Sequence, residues 1–138
     1  MTGYVGPIEE QTLENRDFRR VLFTGKHAQL VLMCLEPGED IGSEVHPHVD
    51  QFFRVEEGKA RFVLNGHEVP VVRSGDAVVV PAGTRHNIVN ASKRKKLRMY
   101  TIYSPPNHPP GTVHKTRADA VAAEHAGHAP KRRPRRKA

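Results

Sequence analysis

Side chains able to bind a metal gather at two places in this chain of 138 residues. The first is Glu44-Val-His46-Pro-His48-Val-Asp50-Gln51. The second is His86, just after the tight turn Pro81-Ala-Gly83. Alternate residues of a strand share a face, so Glu44, His46 and His48 can project together. A histidine from a facing strand would complete a set of imidazole and carboxylate donors. Such a set holds a divalent ion and leaves positions open for a small molecule. Asp50 reads as the cap of the turn into the next strand.

These residues need short strands held face to face, and the chain supplies the signals for them. Eleven Pro and eleven Gly punctuate it, as in an all-β protein built from short segments. Strands are expected at 19–24, 29–35, 44–48, 51–56, 60–64, 67–72, 77–80, 86–90 and 97–103. Leu30-Val-Leu-Met-Cys-Leu35 is apolar at every position and reads as a strand buried on both faces. Asn65-Gly66 is a two-residue hairpin signal, because both turn positions require positive φ. Residues 1–16 give little periodic signal. Thr116-Arg-Ala-Asp119 resembles a capping box with Asp in place of Glu or Gln, opening a short C-terminal helix that Gly127 would stop. The expected organisation is a barrel domain over 1–115 with an N-terminal arm, a helix over 116–127 and a disordered basic tail over 128–138.

With the strands in place, the spacing of the candidate ligands resembles that of the cupin superfamily. Its first motif runs G-x5-H-x-H-x(3,4)-E-x6-G. Here Gly38, Glu44, His46, Gln51 and Gly58 keep every spacing, but Glu44 stands where the first His is usual and Gln51 where the Glu is usual. The second motif runs G-x5-P-x-G-x2-H-x3-N, and Gly75, Pro81, Gly83, His86 and Asn90 match it without departure. Leu30-Val-Leu-Met33, Val49-Asp-Gln-Phe-Phe-Arg54, Tyr100-Thr-Ile-Tyr103 and Gly111-Thr-Val-His-Lys115 look like a group of small bacterial single-domain cupins of unsettled activity. The resemblance implies an all-β, antiparallel double-stranded β-helix or jelly-roll barrel with an inward metal site.

The register chooses the ligands. Reading His46-Pro-His48 as the motif's His pair would break the spacing to both Gly38 and Gln51. The resemblance therefore implies Glu44, His46, Gln51 and His86 as metal ligands, with His48 as the alternative to Glu44. Relative to the usual three imidazoles and one carboxylate, the carboxylate has moved to the other position and the ligand charge is unchanged. Fe, Mn, Zn or Ni all suit such a donor set, with Fe or Mn favoured. Pro81, Gly83 and Asn90 would shape the turn that presents His86.

Phe53, Phe62, Met99 and Tyr103 are pocket candidates that core packing explains as well. Arg54 and Arg98 could hold an anion or sit on solvated faces. His108 and His114 lie on a post-barrel loop that would cover the barrel mouth or wrap a neighbouring subunit. Cys34, in an apolar run, reads as an inert core thiol.

Net charge is +7, but six positives lie in Lys131–Lys137, leaving +1 for the first 130 residues. No zinc-finger, helix-turn-helix or RNA-binding aromatic pattern accompanies the basic runs, so sequence-specific nucleic-acid recognition is not expected. The tail would contact polyanions weakly at most. No run reaches membrane-spanning length, and Met1–Gln11 lacks a secretory plan. One cysteine and no leader make a cytoplasmic chain the default. The expected protein is a metal-dependent enzyme on a small molecule, of oxygenase or isomerase type. A non-catalytic sensing module is the alternative. The doubly apolar strand suggests a homodimer, because it needs cover on its outer side.

Overall fold

The computed structural model describes residues 3–128. Among them run α1 (Ile8–Glu14), β1 (Arg19–Thr24), β2 (Gln29–Leu35), β3 (Asp50–Glu57), β4 (Lys59–Leu64), β5 (His67–Arg73), β6 (Ala77–Val80), β7 (His86–Asn90), β8 (Leu97–Ser104), β9 (Val113–His114) and α2 (Arg117–His128). The strands form an antiparallel sheet in the order β6-β3-β8-β2-β1-β9 and a smaller one in the order β5-β4-β7. Alternating burial along β3 and β8 turns one face inward. Phe53, Val55, Phe62, Ile88, Leu97 and Met99 fill the space between the sheets with no exposure to water. None of the described helices is long and apolar enough to cross a membrane.

Turn chemistry sets the strand ends. Asn65 and Gly66 have φ of 51° and 80°, the primed turn their identities demand. Gly58 carries a second requirement. A Cβ there would lie 2.6 Å from the Lys96 carbonyl oxygen, so only glycine lets β3 turn into β4 against the start of β8.

Four expectations need correction. Residues 44–48 are not a strand. They make one isolated bridge, Glu44 to His86, and then turn at Pro47-His48, because Pro47 has no N–H to continue a ladder. The N-terminal arm contains α1, too short for its periodicity to stand out. β9 is a two-residue strand that pairs with Arg19 and Arg20 of β1. Finally, α2 continues through Gly127 to His128. Its start has the reciprocal bonds of a capping box: Thr116 Oγ1 accepts from the Asp119 N–H at 3.0 Å and Asp119 Oδ2 from the Thr116 N–H at 3.3 Å. The basic segment from 129 onward, expected as a disordered tail, lies outside the described residues.

Candidate metal centre

Backbone pairing brings the site together. The Glu44 and His86 amides each donate to the other's carbonyl at 2.8 Å, and the Gly83 amide donates to the His46 carbonyl at 2.9 Å. This zips residues 44–46 to the turn before β7. Asp50 Oδ1 accepts from the Ala82 amide at 2.8 Å and fastens the other side of that turn, as its short polar side chain suits. Glu44 and His46, two residues apart, face the same way as His86.

Glu44, His46 and His86 each offer one ligand atom, and these atoms lie within 4.8 Å of one another. Glu44 Oε1 is 3.3 Å from His46 Nε2 and 3.9 Å from His86 Nε2. Donors sharing one ion at about 2.1 Å sit about 3.0 to 4.2 Å apart, depending on geometry. The group is therefore close to the span that a single ion needs. His48 is exposed in its turn and is not part of the cluster.

The hydrogen bonds around the cluster leave its donor atoms vacant. His86 Nδ1 donates to the Thr84 carbonyl at 3.1 Å, which fixes the tautomer and puts the lone pair on Nε2. Gln51 Nε2 donates to Thr101 Oγ1 at 3.0 Å. His46 Nε2, His86 Nε2 and Gln51 Oε1 are all buried without a hydrogen-bond partner. Buried polar atoms are nearly always satisfied, so three orphans at one place call for a ligand. Burial pushes the His86 imidazole below its ordinary value and favours the neutral form. Burial alone would raise the Glu44 carboxyl. The adjoining His46, with the charge of Arg19, outweighs burial and holds it below the usual range.

A family model described as a cupin domain matches residues 31–103. The chain is a cupin. An uncharacterized protein of Bacillus subtilis, YrkC, is 49% identical over 126 residues, spanning 88% of this chain and 67% of that protein. An uncharacterized protein of Acanthamoeba polyphaga mimivirus is 48% identical over 113 residues, spanning 80% and 70%. A solved structure from Bacillus halodurans is 49% identical with a TM-score of 0.83, covering 86% of this chain and 93% of that one.

In this cupin Glu44 and His46 line a cavity of about 860 Å³, a size suited to a small molecule, while His86 and Gln51 are buried and off the lining. The other walls come from β1, the loop at 107–112, β9 and α2. α2 is tied down where Arg117 donates to the Asp40 carbonyl and carboxylate at 2.6 and 3.0 Å. The post-barrel loop covers the barrel of its own chain: Gln29 accepts from the Asn107 and His108 amides and donates to the His108 carbonyl. His108 and Tyr103 are joined at 3.2 Å between Nε2 and the phenol oxygen. Burial pushes Tyr103 up to about 12 and His108 down to about 3, so a neutral pair borders the site.

The pocket candidates are placed differently from one another. Phe53, Phe62 and Met99 are fully buried core beneath the site, and none of the four lines the cavity. Tyr103 stands 6.0 Å from the His46 ring. Arg54 and Arg98 pair with Glu56 and Glu57 and are not on the lining. Asn90 does not bond the turn before His86. It donates to the Leu35 and Lys95 carbonyls at 3.1 and 2.9 Å, because it sits at the far end of β7. Arg19, Thr112 and Arg117 line the cavity, and nothing in the sequence marked them as lining residues, since their place depends on packing between distant elements.

Proposed function

We propose that this cupin holds one divalent metal ion through Glu44, His46 and His86, with the Gln51 amide oxygen as a fourth donor, and acts as an enzyme on a small molecule in the adjoining cavity. The observation that carries the reading is the convergence of three unpartnered buried donors, His46 Nε2, His86 Nε2 and Gln51 Oε1, on a carboxylate. The set fits the ion chemically: two imidazoles, one of them with its tautomer set by a carbonyl, one carboxylate and one amide oxygen. Fe or Mn suits it best.

When bound, the ion supplies a Lewis acid for a carbonyl or hydroxyl group, or a partner for dioxygen. The chain's own residues do the rest. Glu44 stays ionised, His86 stays neutral, and the 107–112 loop and α2 wall the cavity in which the small molecule sits.

Elemental analysis of protein purified without chelators or a metal-affinity tag tests the centre. About one ion per chain is expected, lost in His46→Ala and His86→Ala and kept in His48→Ala. Loss in His48→Ala with retention in Glu44→Ala would overturn the ligand set. Turnover of small carbonyl and hydroxy compounds by the metal-loaded protein, absent in His86→Ala, tests the enzyme reading.

A further inference from the structure

We propose that Arg19 is the recognition residue of this cavity, and that the cavity takes a small molecule bearing a carboxylate. The carboxylate lies against the guanidinium and another oxygen of the ligand reaches the metal centre. That last contact rests on the metal reading above; the assignment of Arg19 does not.

Arg19 is only 7% exposed, yet among the described residues it has no acidic partner. Arg20, Arg54, Arg98 and Arg117 each pair with a carboxylate. Arg19 makes no ion pair: Glu44 feels its charge without touching it, the Tyr103 phenol lies close by, and its direct contacts are uncharged. Nη1 is 3.3 Å from His114 Nδ1, the guanidinium carbon is 5.3 Å from the centre of the Phe18 ring, and Nε is buried with no partner. A guanidinium stays charged at any ordinary pH, and burying a charge without a counter-charge is costly. Natural chains keep such a group where a ligand supplies the missing charge.

The place of Arg19 says which ligand. It shares the cavity wall with Glu44 and His46. Glu44 is committed to the two histidines, so its charge belongs to the cluster. Adding a divalent ion to Glu44 and Arg19 leaves the inner wall with an excess of positive charge. Arg117, also on the lining, is neutralised by Asp40, and Glu124 lines the cavity from α2 with its side chain open to water, away from the inner wall. Arg19 has donors to spare, and a planar carboxylate accepts two of them in parallel. Thr112 and Asn107 on the same lining add neutral hydrogen-bonding groups.

The test is calorimetric titration of pyruvate, oxalate and the neutral ester methyl pyruvate into wild type, Arg19→Gln and Arg19→Lys, each with and without Mn(II). Metal content is measured separately by elemental analysis. Wild type should bind the acids and discriminate against the ester. Arg19→Gln should lose about tenfold or more in affinity for the acids with metal content unchanged, and Arg19→Lys should recover part of that loss. Equal acid affinity in Arg19→Gln, equal binding of acid and ester, or no acid binding by wild type overturns the proposal. Wild type that takes up no Mn(II) but still prefers the acids through Arg19 would sink the metal reading and leave this one standing. If Arg19→Gln fails to fold, the preference of wild type for acid over ester and its change in Arg19→Lys decide.

Discussion

Two buried glutamines predict opposite outcomes, and the contrast tests the reasoning behind the site. Gln29 has no exposure and makes four hydrogen bonds: Nε2 to Thr24 Oγ1 at 2.9 Å and the His108 carbonyl at 2.7 Å, Oε1 from the Asn107 and His108 amides at 3.0 and 2.9 Å. At about 0.5–1.5 kcal/mol each, the four are worth about 2–6 kcal/mol. Water recovers part of this at the half-buried loop, so Gln29→Leu should cost about 3 kcal/mol and lower the melting temperature by about 10 °C. Gln51 is equally buried but makes one bond, to Thr101, and leaves Oε1 orphaned. In metal-free protein Gln51→Met deprives the buried Thr101 hydroxyl of its partner, at about 1–3 kcal/mol, and removes an unsatisfied carbonyl of about the same cost. Its stability should therefore stay within about 1 kcal/mol of wild type or exceed it. Its metal affinity should fall about 10- to 100-fold, the scale seen when groups around a metal site are removed.

Urea denaturation of both variants, with and without Mn(II), reads these differences directly. A Gln29→Leu loss under about 1 kcal/mol would mean that water replaces the clamp. A Gln51→Met loss above about 2 kcal/mol in metal-free protein would mean that Gln51 is a structural residue, and the orphan argument would fall.

Two further outcomes follow from the same geometry. Gly58→Ala should destabilise by about 2–4 kcal/mol, since its Cβ meets the Lys96 carbonyl at 2.6 Å, whereas Gly66→Ala, with open space around it, should cost about 1 kcal/mol; thermal melts of the pair separate clash from strain. His108 is pushed from 6.5 to about 3 by burial, so between those values the unfolded chain binds a proton that the folded chain does not. Stability should fall as pH drops through that window, by up to about 1.4 kcal/mol per pH unit, and His108→Gln should flatten this limb in acid denaturation curves.

The strands were legible because glycine, proline and Asn-Gly mark their ends, and because periods of two persist inside them. Glu44, His46, Gln51 and His86 could be singled out because the motif fixes spacing within two local stretches, although Glu44 and Gln51 depart from its residue types. Arg19 could not. It is one arginine beside another in Arg19-Arg20, and only the alternation of β1 sends the first inward and the second outward. α2 was visible from its capping box, but its role as a wall depends on Arg117 reaching Asp40, a contact across 77 positions. Long-range partners carry no local pattern, and a ligand cavity is mostly made of them.

The run Leu30–Leu35 shows the same limit from the other side. Its composition correctly demands cover on both faces, and Leu32 and Cys34 on the outer face are only 2% and 3% exposed. A second copy of the chain is one way to provide that cover, and with edge-strand pairing it is one of two reasons to expect a homodimer. The structure provides it from within. Leu32 lies beside Gln11, Glu14 and Asn15, α1 packs across β8 and β3, and Arg98, the pairing partner of Cys34, reaches over to the Asn15 carbonyl at 2.9 Å and to Glu57 at 3.0 Å. Burial also pushes the Cys34 thiol up, which keeps it protonated and unreactive. An apolar strand thus states that something must cover it but not what, and the polar arm that looked least structured in the sequence is the cover. Any self-association has to be argued from the surfaces still open, such as the edge strand β6 with Val79 exposed at 63%, rather than from β2.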